Sequence, residues 1–448
     1  MKLYPHQIDV LKRTEHLNHV AYYLDMGLGK TFVGSEKMRQ LAAKVNLIIC
    51  QKSKIADWIT HFEEQYNAEI YDLTNTGGMK CFLSYAGMAK TGSAIIYGVI
   101  NYELAWRRKQ LLQLENFTLL LDESSLIQND AAKQSKFILK LRPTNVILLS
   151  GTPTAGKYEN LWTQAQLLGW DIKKQTYENQ YVNYDLVDYS TGFKVRVVNK
   201  EHPYKNVERL KRKFKDHGAV FMKTADVMDL PEQNFVVIDV KKPKIYAEFM
   251  KNSYLMLDLI NLTEFHNDSD FYGKDVTPRI ELIGSTSLTR RLYARQLASQ
   301  YNKNKRQAIV DLISSTQDRL IIFYNFNSEL ELLKAICKAQ NRPVSEINGA
   351  VKNLYAYQHE SNSVTLVQYQ AGAMGINLQL ANKVIYFSLP ERSELFEQSK
   401  KRVHRIGQQH PCFYYLPLTA GSVDKLIYET LLKRKDFTDE LFRKEVLI

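Results

Sequence analysis

Asp25-Met26-Gly27-Leu28-Gly29-Lys30-Thr31 follows an apolar run, Val20-Ala21-Tyr22-Tyr23-Leu24. It opens a segment with apolar residues at helical spacing, Phe32, Val33, Met38 and Leu41. A glycine-rich turn between a strand and a helix lets backbone N–H groups converge on phosphate oxygens, and the helix N-terminus adds partial positive charge. Gly27 and Gly29 permit close approach and positive φ. In such a turn Lys30 would hold the β- and γ-phosphates, and the Thr31 hydroxyl would complete a Mg²⁺ shell. The stretch is not a full Walker A sequence, because Leu24 stands at the first glycine position. Taken alone it could be a chance loop, so the reading depends on the rest of the chain.

Downstream, Phe117-Thr118-Leu119-Leu120-Leu121 delivers two adjacent carboxylates, Asp122 and Glu123. Asp122 would hold Mg²⁺ as a Walker B aspartate does, and Glu123 would polarise or deprotonate an attacking water. The bland alternative is a strand ending in solvated acids. Val146-Ile147-Leu148-Leu149 then runs into Ser150-Gly151-Thr152-Pro153, hydroxyls on a constrained turn that either links nucleotide state to a second site or is an ordinary strand-to-turn connection. Two further apolar runs end in polar tips: Leu47–Cys50 before Gln51-Lys52-Ser53, and 94–100 before Asn101-Tyr102-Glu103. Ligands of α/β folds bind at such strand ends. Trp58 and Phe62, four apart, are read as core. A helix is expected over residues 3–17, where the Gln7 amide either reads an adenine edge or lies on the surface. Residues 1–170 therefore read as a P-loop α/β domain.

The texture changes after about residue 171. Tyr184–Tyr189, a Ser190-Thr191-Gly192 turn and Phe193–Val198 read as a β-hairpin whose second arm carries Lys194 and Arg196. Glu208–Lys215 is a basic helical stretch, either a solvated face or a phosphate contact. Helical spacing covers 244–260 and 281–300, with a polar loop near 266–270. From about 303 a second α/β rhythm appears, with strands over Arg319–Tyr324, Val364–Val367 and Lys383–Phe387. A helical segment then carries Gln398, Arg402 and Arg405, whose arginines are expected on one helical face. From there they could reach a γ-phosphate, or they belong to a basic surface helix.

At 448 residues with 45% apolar and 24% charged residues, the chain is expected to form two or more soluble domains. No run of about 18 apolar residues is present, so no membrane span is expected, and Met1–His6 lack an apolar h-region, so no signal peptide is expected. Four scattered cysteines lack metal-ligand spacing, so zinc and disulfides are not expected. The formal charge of +12 favours a polyanionic partner.

Together, DMGLGKT, LLLDESS, SGTP, AGAMGINL and QSKKRVHRIGQ resemble the motifs of superfamily-2 helicase-like ATPases, specifically the Swi/Snf-type DNA translocases. HRIGQ is the most specific of these. Tyr4-Pro5-His6-Gln7 is similar to the family's adenine-reading entry, and Ala420–Asp424 to its C-terminal brace. The resemblance implies an α/β fold of two RecA-like P-loop lobes with parallel sheets and helical and hairpin insertions between them. One lobe would span 1–232 and the other 233–448. ATP, bound with Mg²⁺ through Thr31 and Asp122, would contact Gln7, Met26, Gly27, Leu28, Gly29, Lys30, Thr31, Gly375, Arg402 and Arg405. The catalytic set would be Lys30, Asp122, Glu123, Gln398, Arg402 and Arg405. DNA would meet Lys52, Ser53, Asn101, Thr152, Gln370, Lys194 and Arg196, mostly through phosphates.

The organisation looks most like the compact fork-remodelling, strand-annealing branch, acting in replication, recombination or repair in a bacterial cytoplasm (a host cytoplasm if phage-encoded). Two alternatives stay open: an RNA-directed helicase of the same superfamily, and a nucleic-acid-binding scaffold with ATP as a conformational switch. The chain also departs from the family. Ser124-Ser125 replaces a Gly-His or Ala-His pair, Met222-Lys223 a pair of arginines, and Gln368-Tyr369-Gln370 a Ser-Thr-Arg pattern.

Overall fold

In the computed structural model the described residues are 3–88, 95–154, 156–188, 194–227, 229–258, 279–372 and 376–442. The chain divides into two compact units, Met1–Asp229 with Arg434–Ile448, and Leu230–Lys433.

The strands of the first unit are β1 (His19–Leu24), β2 (Val45–Cys50), β3 (Ile70–Asp72), β4 (Ile96–Asn101), β5 (Phe117–Asp122), β6 (Asn145–Ser150), β7 (Tyr184–Asp188), β8 (Lys194–Val198) and β9 (Ala219–Met222). Seven of them form a parallel sheet in the order β3-β4-β2-β5-β6-β1-β9. Strands β1, β2, β4 and β6 are almost wholly buried, as expected for a parallel sheet covered on both faces by crossover helices. Because every strand runs the same way, all the polar tips lie along one edge. The acidic strand β5 and the strand β1 before the glycine loop are separated only by β6. This brings Asp25–Thr31, Asp122–Glu123 and Ser150–Pro153 to adjacent positions, the RecA-like arrangement.

The hairpin forms as expected, with β7 antiparallel to β8 and Leu186 opposite Arg196. Its turn, 189–193, lies outside the described residues. The basic stretch is the helix Val207–Asp216, which buries Leu210 and Phe214 and exposes Arg209 and Arg212. The first helix, expected over 3–17, is confined to Pro5–Arg13.

The second unit contains β10 (Gln233–Val240), β11 (Tyr254–Asp258), β12 (Arg279–Ile283), β13 (Leu320–Tyr324), β14 (Val344–Ile347), β15 (Lys352–Asn353), β16 (Val364–Gln368), β17 (Lys383–Tyr386) and β18 (Cys412–Thr419). Its sheet runs β10-β18-β17-β13-β16-β14-β15, parallel except for β15. The fold is thus α/β, with two RecA-like units.

Two expectations from periodicity are corrected. The segment 244–260 is not one helix: Lys244–Asn252 is helical, Ser253 turns at φ 55°, and β11 then pairs with β12. Leu255 and Leu257 are buried while Tyr254 and Met256 are exposed, the period-two pattern of a strand. The helix Ser393–Lys400 likewise stops before Arg402 and Arg405. The two arginines lie on the turns that follow, beyond the end of the helix, where the Arg402 and Val403 N–H groups still bond back to Ser399 and Lys400.

Candidate nucleotide site

The glycine loop is built by conformation and by its neighbours. Gly27 and Gly29 lie at φ 92° and 74°, where a side chain is strained, and Gly29 caps the helix Lys30–Leu41. An added Cβ at Gly29 would collide with the Gln7 amide nitrogen. Gln7 itself is buried. It accepts from the Tyr4 N–H at 2.9 Å and donates to the Leu28 carbonyl at 3.1 Å, which His6 Nε2 also meets at 3.1 Å. The entry segment therefore clamps the loop, and the Gln7 amide keeps one N–H and one lone pair beyond these bonds.

Asp25 anchors the other side. Its Oδ1 accepts from the Met26 N–H at 3.0 Å, and its Oδ2 accepts from the Thr224 hydroxyl at 3.0 Å and N–H at 3.3 Å. Lys30 folds over the loop, with Nζ donating to the Leu24 carbonyl at 3.0 Å and the Asp25 carbonyl at 3.4 Å. A Cβ placed on Gly151 would stand 3.2 Å from Lys30 Nζ and from Met26 Cγ, so the Ser150–Pro153 turn lies directly against the loop. Thr31 begins the helix, half-buried beside Lys30.

The carboxylates are held by different means. Asp122 Oδ2 accepts from the Trp58 indole N–H at 2.9 Å, so Trp58 is a core residue with a polar function that spacing did not disclose. Asp122 Oδ1 has no hydrogen-bond partner among the described residues. Glu123 occupies the left-handed region at φ 57°, unusual for a side chain of its size. The Tyr102 hydroxyl donates to the Asp122 carbonyl at 2.9 Å, bracing this turn, and the Ser125 and Ser150 hydroxyls each donate to Glu123 Oε1 at 2.9 Å. Burial pushes the Glu123 carboxyl above the ordinary carboxylate range and the Asp122 charge adds to this, while Lys30 and the two serines oppose it. Ser150 Oγ also accepts from the Thr152 N–H at 3.2 Å, linking Glu123 to the SGTP turn.

The remaining candidates fall in separate places. Lys52 and Ser53 are exposed just beyond β2. Asn101, at the end of neighbouring β4, is buried and donates to Glu103 at 2.6 Å. Thr152 is buried in its turn. Lys194 and Arg196 are exposed on β8, with Arg196 stacked 4.3 Å from the Tyr184 ring centre. In the second unit Gln370 is exposed after β16, Arg405 bonds Asn377, and Arg402 and Gln398 are buried. Gln398 Oε1 has no hydrogen-bond partner among the described residues. Gly375 lies outside them. Gln408 of HRIGQ is structural. Its amide donates to the Ala381 carbonyl at 2.9 Å, and its oxygen accepts from the N–H groups of Gln409 and His410 at 3.0 Å.

A glycine loop, an Asp-Glu strand end one strand away and a second unit of the same α/β type define a helicase-like P-loop protein. Residues 23–277 match the SNF2-related domain, and residues 304–407 match the helicase conserved C-terminal domain. The chain belongs to the SNF2-related family. It is 22% identical over 349 residues to YwqA of Bacillus subtilis, covering 73% of this chain and 36% of that protein. It is 22% identical over 474 residues to the uncharacterized ATP-dependent helicase YqhH of the same organism, covering 95% and 78% of the two. A mouse SWI/SNF-related matrix-associated actin-dependent regulator of chromatin, subfamily A member 1, is 22% identical over 90% of this chain and 40% of its own length. The chain thus spans well under half of some curated relatives it matches. Among solved structures, the Sulfolobus solfataricus SWI2/SNF2 ATPase core in complex with dsDNA aligns over 98% of this chain and 92% of that one, at 20% identity and a TM-score of 0.44. Among the described residues, no helix is long and apolar enough to cross a membrane.

Proposed function

We propose that the protein is a DNA-dependent ATPase that translocates on DNA and remodels forked or branched DNA. The observation that carries the ATPase reading is the Glu123 carboxylate, held by Ser125 and Ser150 one strand away from the glycine loop and Lys30. In this reading the backbone of Met26–Gly29 and the Lys30 ammonium hold the phosphates, and Gln7 fixes the loop and offers its remaining amide valences to the base. Glu123 takes the proton of the attacking water.

The donor set fits Mg²⁺, because Thr31 supplies a hydroxyl and Asp122 a carboxylate oxygen not committed to Trp58. When bound there, the ion would neutralise charge on the phosphate oxygens. Arg402 and Arg405 are assigned the arginine-finger role, worth roughly 10³–10⁵ in rate, with Gln398 beside them. DNA contacts are assigned to Lys52, Ser53 and Asn101 at neighbouring strand ends, to Gln370, and to Lys194 and Arg196 on the hairpin. The buried Thr152 would reach DNA only by a rearrangement of its turn. The hairpin β7–β8, basic on one arm, is assigned to the duplex junction.

The test is steady-state ATP hydrolysis without nucleic acid and with single-stranded DNA, duplex, fork, four-way junction and RNA, with Lys30→Ala as control. Greater stimulation by fork and junction than by duplex is expected. Equal stimulation by every duplex would leave a general translocase and remove the junction role. Stimulation by RNA alone would reassign the substrate.

A further inference from the structure

Gln164 lies in the short helix Trp162–Leu167 of the first unit and is fully buried. Its Oε1 accepts from the Ser124 hydroxyl at 2.8 Å and from the Tyr23 hydroxyl at 3.0 Å, and its Nε2 donates to the Pro153 carbonyl at 2.9 Å. Burial raises the Tyr23 phenol far above its ordinary pKa, so this hydroxyl stays protonated and donates. One amide thereby holds the strand that leads into the glycine loop, the turn after Asp122–Glu123, and the Ser150–Pro153 turn.

Its helix neighbours Leu161, Ala165, Leu167 and Leu168 belong, with Tyr23, to one hydrophobic core cluster. A buried amide is costly unless satisfied, and an apolar side chain of equal length would leave the Ser124 and Tyr23 hydroxyls and the Pro153 carbonyl without this partner. Packing alone therefore does not account for a glutamine. Ser124 is also one of the two residues at which the chain departs from the family's Gly-His or Ala-His pair, and Gln164 is its partner.

We infer that Gln164 is a positioning residue that couples the Asp122–Glu123 turn, through Ser124, to the Ser150–Pro153 turn. Glu123 is then held from two sides of one network. Ser125 and Ser150 bond its carboxylate, while Ser124 fixes the adjoining backbone to Gln164 and hence to Pro153. A movement of the SGTP turn on substrate binding is transmitted to Glu123 by both routes. This rests on the ATPase reading above.

The test compares wild type, Lys30→Ala, Gln164→Met, Ser124→Ala, Tyr23→Phe and the Gln164→Met/Ser124→Ala pair in ATP turnover at saturating duplex DNA, each with a melting curve. Gln164→Met is expected to lower kcat by about 10–100-fold, as a mispositioned catalytic group does. Its KM for ATP should stay within about twofold, because phosphate-binding groups are untouched. The pair should be no worse than Gln164→Met alone, since both changes break one link. If Gln164→Met does not fold, Ser124→Ala and Tyr23→Phe each remove a single hydroxyl, and the loss of kcat should then follow Ser124→Ala. Wild-type kcat with only a lowered melting temperature, or losses that add in the pair, overturns the inference alone. Wild-type turnover no faster than Lys30→Ala overturns the ATPase reading and this inference with it.

Discussion

Trp58 donates its indole N–H to Asp122 Oδ2 at 2.9 Å, from a helix that follows β2 onto the end of β5. The ring is buried and stacks on Phe62, so the donor has little freedom to move. A hydrogen bond to a charged acceptor contributes about 1.5–3 kcal/mol. Here it also selects which carboxylate oxygen remains available. Trp58→Phe keeps a ring in the core but frees Asp122 to rotate. The expected result is a rise in the Mg²⁺ concentration giving half-maximal ATPase activity and a fall in kcat of about tenfold or more. An unchanged Mg²⁺ titration would show that Asp122 needs no such restraint.

Glu123 gives a prediction in which stability and activity move in opposite directions. Burial, then the Asp122 charge, raise its carboxyl pKa above the ordinary value. For an acid shifted this way, the stabilising contribution is fully present below the ordinary carboxyl pKa and is lost as pH rises through the raised one. At neutral pH the ionised Glu123 is therefore a burden on the fold. Glu123→Gln keeps an oxygen for Ser125 and Ser150 but removes the charge. It should abolish turnover while melting higher than wild type at about pH 7, with the gap closing near pH 4. The acid limb of the wild-type kcat profile should lie above that of an ordinary carboxylate, and Ser150→Ala should move it further up, because the Ser150 bond stabilises the ionised form. A melting gap independent of pH would count against burial as the cause.

What the sequence disclosed and what it withheld divide along a physical line. Val20–Leu24, Leu47–Cys50 and Phe117–Leu121 were legible because a strand buried on both faces must be apolar throughout, and its first polar residue marks the functional edge. The pairs Gly27/Gly29 and Asp122/Glu123 were legible because local chemistry demands them. Tyr254–Asp258 fits a helical period as well as a strand, because four large residues in a row satisfy either, and only pairing with Arg279–Ile283 decides. The bonds Ser124–Gln164, Trp58–Asp122 and Asp25–Thr224 join residues 40, 64 and 199 positions apart, and no local window reports such contacts.

An ion pair of the second unit is almost completely buried. Lys305 Nζ lies 2.7 Å from Asp424 Oδ2, with both side chains almost completely shielded. The same Asp424 oxygen accepts from the Thr419 N–H at 3.3 Å, so the start of the last helix is tied to β18 and to the helix Lys303–Ser314. Removing one partner leaves an uncompensated charge. Asp424→Ala should cost roughly 3–5 kcal/mol, and Lys305→Met with Asp424→Leu should recover most of it. Urea unfolding followed by far-UV circular dichroism measures both. A double variant as unstable as Asp424→Ala would mean that the network of bonds around Asp424 matters more than its charge.

The clamp on the glycine loop separates backbone strain from crowding. Gly27 and Gly29 both have positive φ, but an added Cβ at Gly27 meets nothing within 4 Å, whereas at Gly29 it meets the Gln7 amide. Gly27→Ala should therefore carry only the left-handed backbone penalty of roughly 1–2 kcal/mol. Gly29→Ala should carry that penalty and also expel Gln7 from its bonds to Tyr4 and Leu28. The KM for ATP should rise more for Gly29→Ala than for Gly27→Ala. Adding Gln7→Ala to Gly29→Ala removes the obstructing amide, so the double variant should regain part of the loss despite lacking Gln7. If it is instead worse than Gly29→Ala, Gln7 contributes to nucleotide binding even when displaced from the loop, and a direct contact with the base becomes its main role.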